Sequence, residues 1–343
     1  MNINRSSFYY LGREVVLSLA ILICLAYLQP AQAAGPITNG DSPTDTIDFD
    51  GEIDTWTFSA NSGDGIRVNI GATDRVNFTP LIRLYDPGST QVASNQGTFS
   101  ADITWQAAQS GTYTVEVLDS SGTPNGTATY TLYLATIPGS FIIPAGDEGG
   151  EPKNGGVVNP GSIDLGDMDL WTYPADAGDT LLIHVGEING TGLGPELVLY
   201  SPDGVELGSS NSTDATVLDH PAAVAGTYTV VVQDRAADVT GSGDYELYFA
   251  GIPGDAYSVP GPGDEGGALT NGGVHAGSIT VGDLDLWTFE ADVQDTLRIQ
   301  VGEITGTNFS PELVLYGPDG SELGTNKGSA STDLDHQATV AGT

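Results

Sequence analysis

The chain has 343 residues, with 45 acidic and 9 basic side chains, a net charge of −36 at pH 7 and a single cysteine. A surface this acidic repels nucleic acids and anionic lipids and attracts cations, so the charge excludes nucleic acid as a partner. Two interpretations of the charge stay open at this point. It favours solubility in a salty medium, where salt screens like charges, or it marks a set of calcium sites.

Residues 1–33 predict a secretory signal peptide. Arg5 and Arg13 give a basic n-region, residues 15–28 form an apolar run, and Ala-Gln-Ala at 31–33 is a small-x-small cleavage signature. The apolar run is shorter than the roughly 20 residues that a membrane-spanning helix needs, and no second run follows it. The sequence therefore predicts cleavage after Ala33, no membrane span and a secreted or cell-surface protein. The only cysteine leaves with the signal, so the mature chain is predicted to use no disulfide bond.

Internal repetition is the strongest signal in the mature sequence. Trp56, Trp171 and Trp287 stand 115 and then 116 residues apart, each in a segment of the type GDLDLWTF. Other landmarks keep the same step, among them PLIRLY or PELVLY and the segment AGTYTV. A period of this length suits a whole small domain. We therefore predict three copies of one domain, at residues 34–140, 141–256 and 257–343.

Within each copy the hydrophobic period is two. Segments such as DTLLIHVGEI, ELVLYSPDG and GTYTVVVQD are rich in β-branched and aromatic residues and are bounded by Gly, Pro, Asn or Asp. About eight short strands per copy, separated by frequent turn signals, predict an all-β chain of tandem β-sandwich domains. The third copy stops at Gly342-Thr343, where the earlier copies continue with two more strands. It is therefore predicted to be truncated, with unpaired strand edges.

A pair of acidic residues precedes the repeated tryptophan. Residues i and i+2 of a strand face the same way, so Asp167 and Asp169 are predicted to project together. Two such carboxylates repel each other unless donors or a cation lie between them, and Ca²⁺ takes roughly 6–8 oxygen ligands. The GDEGG linkers before copies two and three can supply more oxygens, although the alternative of solvated turn acids stays open. The metal-ligand candidates are Asp167, Asp169 and Glu148 in copy two, Asp283, Asp285 and Glu265 in copy three, and Glu52 and Asp54 in copy one.

No catalytic motif stands out in the sequence. It has no G-x-S-x-G nucleophile elbow, no P-loop and no HExxH zinc motif. An enzyme site rarely recurs in three tandem domains, whereas an architectural or metal-binding site does. We therefore predict no catalytic residue and no enzyme activity within these residues, and we assign the repeated acids to folding or to calcium.

The repeat unit resembles the bacterial pre-peptidase C-terminal domain. The resemblance rests on GSIxxGDxDLWTF, DTLxIxVGEI, PELVLYxPDG, AGTYTVxVxD and GDYELYF, and it covers copies one and two and the third copy up to its end. It implies a jelly-roll-like sandwich that accompanies secreted proteases and other exoenzymes as an accessory, non-catalytic module. In some members, such as the collagen-binding domains of clostridial collagenases, calcium stabilises the domain through the leading linker and the aspartates ahead of the aromatic residue. By position, the resemblance gives this role to Asp167, Asp169, Asp283, Asp285, Glu148 and Glu265.

These observations favour an extracellular interaction protein. It would be a row of β-sandwich modules that binds an extracellular polymer or a protein matrix and is stiffened by Ca²⁺. One alternative is the N-terminal accessory part of a secreted protease or other exoenzyme whose catalytic domain lies beyond residue 343. Another is a structural component of a surface layer. Short linkers that contain proline predict semi-rigid spacing between neighbouring domains.

Overall fold

The computed structural model describes residues 34–343 apart from 123–125, 157, 236–240, 254–264 and 307–308. The predicted signal peptide at residues 1–33 lies outside the described residues. Within the described ranges all regular secondary structure is β-strand, which confirms the all-β prediction. No helix in this part of the chain is long and apolar enough to cross a membrane.

Strands between residues 35 and 137 form a two-layered sandwich, which we call module one. They are β1 (Gly35–Pro36), β2 (Thr44–Ile47), β3 (Ile53–Ala60), β4 (Gly65–Val76), β5 (Pro80–Tyr85), β6 (Gln91–Gln96), β7 (Ser100–Gln106), β8 (Gly111–Asp119) and β9 (Thr127–Ile137). The front sheet has the strand order β1-β3-β8-β5-β6 and the back sheet the order β2-β9-β4-β7. Only β1 and β3 pair in parallel, because β1 belongs to the segment that leads into the module.

Strands between residues 149 and 252 repeat this plan as module two. They are β10 (Gly149–Gly150), β11 (Val158–Ile163), β12 (Met168–Ala175), β13 (Thr180–Thr191), β14 (Pro195–Tyr200), β15 (Glu206–Asn211), β16 (Ala215–Val217), β17 (His220–Pro221), β18 (Gly226–Asp234) and β19 (Ser242–Ile252). The front sheet is β10-β12-β18-β14-β15, and the back sheet is β11-β19-β13-β16 with β17 also paired to β13. The two modules therefore share one topology.

The third copy, which we call module three, has strands but no large sheet in its described residues. They are β20 (Gly267–Ala268), β21 (Trp287–Thr288), β22 (Thr296–Gly302), β23 (Glu312–Tyr316), β24 (Glu322–Lys327) and β25 (Ser331–Gln337). They form three separate pairs, β20-β21, β22-β25 and β23-β24. In module two, β18 joins β12 to β14 and β19 joins β11 to β13. The sequence ends where the counterpart of β18 would begin, so the three pairs are those of module two without its two joining strands.

The core of each complete module lies between its two sheets. Along β8, Tyr113 and Val115 are buried, whereas Thr114 between them is partly exposed, which is the period of two that the sequence predicts. Trp56 and Trp171 are each 6 % exposed and belong to the cores of modules one and two. In the two complete modules the repeated tryptophan is therefore a core residue and not an exposed aromatic platform, whereas Trp287 of module three is partly exposed.

Neighbouring modules touch back sheet to front sheet. At the first joint, the outer face of the back sheet of module one packs on the outer face of the front sheet of module two. The second joint, between modules two and three, brings the corresponding surfaces together. The first joint buries Ala135, Ile137, Met168, Leu170, Val198, Tyr200 and Val231, with Tyr133 and Phe141 packed beside them. The second joint contains Leu182, Ala250 and Ile252, with Leu284, Leu286 and Tyr316 packed against them.

Candidate metal centre

Three carboxylate side chains meet where the linker enters module two, and we call them the acidic cluster. Asp147 and Glu148 belong to the linker and Asp169 lies in β12, and one oxygen of each lies within 4.8 Å of the others. The linker reaches this point because β10 runs parallel to β12, with Gly149 opposite Leu170. A Cβ atom on Gly149 would overlap the carbonyl oxygen of Leu170, so glycine is what lets the linker lie this close.

Hydrogen bonds hold all three members of the acidic cluster and leave one oxygen of Asp169 over. Asp147 Oδ1 accepts a hydrogen bond of 3.0 Å from the backbone N–H of Glu148. Glu148 Oε2 accepts hydrogen bonds from the backbone N–H of Ser162 (3.0 Å) and from its hydroxyl (3.1 Å). Asp169 is fully buried, and its Oδ2 accepts a hydrogen bond of 2.5 Å from the hydroxyl of Tyr245. Its Oδ1 is also buried and receives no hydrogen bond from an N–H or hydroxyl group of the described residues, and the neighbouring Asp147 is the side chain that shares a proton with Asp169 when no cation is present. A buried carboxylate oxygen of this kind needs a partner, so the residues present fit a bound cation.

A relay of three side chains connects the acidic cluster to the core of module two. The indole N–H of Trp171 donates to the hydroxyl of Tyr245 over 3.0 Å, and that hydroxyl donates to Asp169. Module one repeats the relay with Trp56, Tyr130 and Asp54, at 3.0 and 2.7 Å. A buried indole N–H and a buried carboxylate each need a hydrogen-bond partner, which explains why acid, tryptophan and tyrosine recur together.

Burial and mutual repulsion make the acids of module two hard to ionise. Burial, followed by the charge of Asp167, raises the pKa of Asp169 well above its ordinary value. Burial, followed by the charge of Asp147, raises the pKa of Asp167 to about 7. Burial is also the main cause that raises the pKa of Asp147. These raised pKa values favour bound protons or a bound cation over free carboxylates, and carboxylate oxygens are ligands that Ca²⁺ prefers.

Asp167, the predicted partner of Asp169, stands beside the acidic cluster and not in it. Its Oδ1 accepts a hydrogen bond from the backbone N–H of Met168 (2.7 Å), and its Oδ2 accepts one from that of Asp164 (3.3 Å). These bonds hold the turn that leads into β12. Asp167 therefore borders the site while its oxygens serve the backbone, and its charge, when it is ionised, raises the pKa of Asp169.

In module one, the predicted ligands Glu52 and Asp54 have architectural partners. Glu52 Oε2 accepts hydrogen bonds from the backbone N–H groups of Asp48 (2.5 Å) and Phe49 (3.3 Å). Burial raises the pKa of Asp54, the carboxylate of the relay, to about 6. The described residues bring no third potential ligand into a group with these two. The positions that align with the linker acids of module two are residues 32 and 33, which lie outside the described residues.

In module three, the described residues contain part of the same arrangement. Glu265 Oε2 accepts a hydrogen bond of 2.8 Å from the backbone N–H of Ser278, which is the counterpart of the glutamate–serine contact in module two. Asp283 Oδ2 accepts one of 3.1 Å from the backbone N–H of Thr280, and Asp285 precedes the tryptophan as in module two. The counterpart of the first linker acid lies outside the described residues, so a complete cluster is not seen here.

The structure groups two of the predicted ligands, Glu148 and Asp169, with Asp147. Asp147 is an acid of the GDEGG segment that the sequence analysis offers as a source of further oxygens, although it is not one of the named ligand candidates. Tyr245 is missed, because a tyrosine inside a strand is normally counted as core. The signal that could have found it is its counterpart Tyr130, which stands the same 115 residues away as the two tryptophans of the complete modules.

Comparison with known proteins returns structural matches of low identity and low TM-score. No protein-family model and no curated protein matches the chain. The pre-peptidase C-terminal domain of a collagenase from Bacillus anthracis is 19% identical over 31% of this chain and 97% of that chain, with a TM-score of 0.25. A tandem CBM22 domain from Paenibacillus barcinonensis is 7% identical over 64% of this chain and 93% of that chain, with a TM-score of 0.19. A catalytic domain with CBM51 domains from Clostridium perfringens is 8% identical over 62% of this chain and 34% of that chain. Its TM-score is also 0.19. Values this low carry no conclusion about function.

Proposed function

We propose that this chain is a secreted, non-catalytic binding protein, a row of β-sandwich modules that Ca²⁺ stabilises where the linker meets module two. The observation that carries the proposal is the acidic cluster, in which the fully buried Asp169 has an oxygen that no N–H or hydroxyl group of the described residues reaches. Asp147, Glu148 and Asp169 would hold the ion. A bound cation would supply the positive charge that these carboxylates lack.

The cluster lies close to the first joint, which supports a role in fixing module one against module two. Tyr133 of module one belongs to the first joint, and burial, followed by the charges of Asp167 and Asp164, raises its pKa. The linker residue Phe141 packs against the same joint. A cation at the cluster would therefore neutralise charge at the boundary of two modules and tie the linker to β12. The protein would then be a stiff spacer with its sheet edges free to bind.

The repeated acids support a non-catalytic role. Glu52 and Asp167 accept backbone hydrogen bonds at the same turn of the two complete modules. Asp54 and Asp169 accept the tyrosine hydroxyl of the relay. An acid committed in this way to backbone or core is a poor general acid or base, because it does not face a substrate. An extracellular polymer or a protein matrix is the class of partner that we propose.

Calcium binding to the full chain tests the site. Asp147→Asn should weaken Ca²⁺ binding at least tenfold in isothermal titration at pH 7.5, because the cluster loses one anionic ligand. Glu151→Gln is the matched control, since it removes one negative charge from the same linker at an exposed position outside the cluster. The control should bind within twofold of the unchanged protein. Equal Ca²⁺ affinities for the two variants would show that the acidic cluster is not a calcium site.

Retention on insoluble polymers tests the binding role. The calcium-loaded chain is mixed with cellulose, chitin, peptidoglycan or fibrillar collagen, sedimented, and the unbound protein is measured. We expect retention on at least one of these polymers. A folded, calcium-loaded chain that stays in solution with all four would contradict the role in matrix binding while leaving the calcium site intact.

A further inference from the structure

The first joint buries a charged side chain among its apolar contacts. Arg67 lies in β4, on the outer face of the back sheet of module one, and is only 4 % exposed. Its Nη1 donates to the hydroxyl of Tyr200 over 3.0 Å, and its Nη2 donates to Oε1 of Gln233 over 2.9 Å. Both acceptors belong to module two, so the guanidinium bonds across the joint.

The two acceptors lie on neighbouring strands of the front sheet of module two. Tyr200 ends β14 and Gln233 lies in β18. Gln233 Oε1 also accepts a bond of 3.4 Å from Nδ2 of Asn69, and its Nε2 donates to Oε2 of Glu196 over 2.6 Å. A guanidinium holds its donors in a rigid planar fork, so it meets two separate acceptors in only a narrow range of orientations.

The apolar contacts of the same joint are less selective. Leu170, Val198 and Val231 of the front sheet of module two are at most 5 % exposed in the joint. The free energy gained by burying such side chains follows the area removed from water and has no direction. Aliphatic contacts of this kind therefore hold the two sheets together but allow one sheet to turn on the other.

Burial of the guanidinium is costly. Nε of Arg67 and Oδ1 of Asn69 are buried and have no hydrogen-bond partner among the described residues. A charged group loses its hydration when it is buried, and hydrogen bonds to neutral groups return only part of that cost. Arg67 therefore adds little net attraction between the modules, and its directional bonds are what distinguish it from an aliphatic residue.

An arginine at the same position of an exposed sheet bonds within its own module. Arg298 of module three corresponds to Arg67, its side chain is 60 % exposed, and it pairs with Asp333 (3.4 Å) and Asp335 (3.7 Å). Asp102 is the counterpart of Asp333 in module one. Burial raises the pKa of Asp102, and the nearby charge of Arg67 opposes that rise. Arg67 thus has a carboxylate of its own module nearby, yet its described hydrogen bonds go to module two.

The second joint has a different residue at this position. Leu182 replaces Arg67 there and is 4 % exposed. The described side-chain hydrogen bonds across the second joint connect neutral groups, such as Oγ1 of Thr180 and the carbonyl oxygen of Gly320 at 2.8 Å. A buried arginine is therefore not a general requirement for docking of two modules, and leucine fits the same surface.

We propose that Arg67 is the orienting residue of the first joint, which fixes the angle between modules one and two by bonding to β14 and β18. The aliphatic contacts hold the sheets together, and the guanidinium selects one of the arrangements that they allow. The acidic cluster lies on the other side of the same front sheet, beside β10 and in β12. Because the two sites are separate, the role of Arg67 does not depend on bound calcium.

Distance measurements between spin labels test the proposal in the full chain. Cys24 is the only cysteine, so Cys24→Ser, Ala108→Cys and Ala223→Cys place one label at corresponding exposed positions of modules one and two. With a chelator present, double electron–electron resonance should give one narrow distance distribution for this protein. Arg67→Leu, which introduces the residue of the second joint, should broaden the distribution roughly twofold or more, because the remaining apolar contacts permit a range of angles.

The matched control is Arg83→Leu, since the ion pair of Arg83 with Glu116 stays within module one. Its distance distribution should keep the original width. Near-ultraviolet circular dichroism and urea titration report whether each variant is folded. Should Arg67→Leu fail to fold, Arg67→Lys decides, because lysine keeps the charge and the aliphatic stem but lacks the planar fork, and it should also broaden the distribution. A folded Arg67 variant with an unchanged distribution would overturn the orienting role.

Discussion

The acid sites of modules one and two share their buried half and differ at their linker half. In both modules a buried tryptophan, tyrosine and aspartate form one hydrogen-bonded relay. Only in module two do two linker acids join the aspartate in the described residues. The relay therefore belongs to the fold of the module, whereas the acid group that could hold a cation depends on the linker. Changes to the relay, to the pH and to the calcium concentration separate the two halves.

Removal of the tryptophan should damage both modules alike. Trp56→Ala and Trp171→Ala each leave a cavity in a core and a tyrosine hydroxyl without its donor, so each should lower the free energy of unfolding of its module by about 3–5 kcal/mol. Urea titration followed by circular dichroism measures the loss. A large effect in one module and a small one in the other would show that the relay is not a shared element of the fold.

Without calcium, the two modules should lose stability with rising pH over different ranges. An aspartate whose pKa is raised by folding stabilises the folded state fully below its unfolded pKa of 3.8, and this contribution disappears as pH rises through the folded value. For Asp167 in module two that value is about 7, and for Asp54 in module one it is about 6.

We expect calcium-free module two to lose about 2–4 kcal/mol between pH 4 and pH 7, and module one to lose less and to finish near pH 6. Urea titrations at several pH values, with a chelator present, measure the free energy of unfolding of each module as a function of pH. Identical curves for the two modules would show that the linker acids do not change the electrostatics of the site.

Calcium should stabilise module two and leave module one unchanged. At a free concentration about 100 times the dissociation constant, the ion should add about 2.7 kcal/mol to the free energy of unfolding of module two. Differential scanning calorimetry with calcium and with a chelator resolves the transitions. At the same calcium concentration the Asp147→Asn variant, with its at least tenfold weaker site, should gain about 1.4 kcal/mol or less. Equal shifts in both modules would place the calcium elsewhere.

Removal of the relay hydroxyl should have the smallest effect. Tyr245→Phe and Tyr130→Phe keep the packing but deprive a buried carboxylate of a donor, so each should cost about 1–3 kcal/mol. With a chelator present, Tyr245→Phe and Tyr130→Phe should lower the free energy of unfolding of their modules by the same amount. Added calcium should reduce the loss for Tyr245→Phe only, because only there would the ion share the carboxylate.

The sequence predicts the fold well because each module repeats simple local rules. Alternation within strands, turn residues between them and the recurrence of tryptophan define the sandwich, and the buried positions of Trp56 and Trp171 follow that pattern. The acid site is predicted in part. Glu148 and Asp169 follow from spacing along the chain, whereas the tyrosine of the relay arrives from a strand 76 residues later than Asp169 and only sheet packing brings it there.

The joints are not predicted, because contacts between modules obey no period within one module. Their signal is the difference between copies: TYTVEVLD in module one against TYTVVVQD in module two, and PLIRLY against PELVLY. Glu116 and Arg83 sit at positions that look like ordinary solvent-facing alternation. Only the burial of Val231 and Val198 reveals that the same positions are covered in module two.

The recurrence of one joint has a consequence for avidity. Because largely corresponding residues form both joints, each module meets the next through the same pair of surfaces. A weak recognition patch shared by the modules would therefore recur along the chain. A polymer with a regular repeat could engage such patches together, and each engagement after the first becomes intramolecular. Multivalent contact of this kind strengthens attachment by roughly 10²–10⁴ over one patch, so individually feeble sites would suffice.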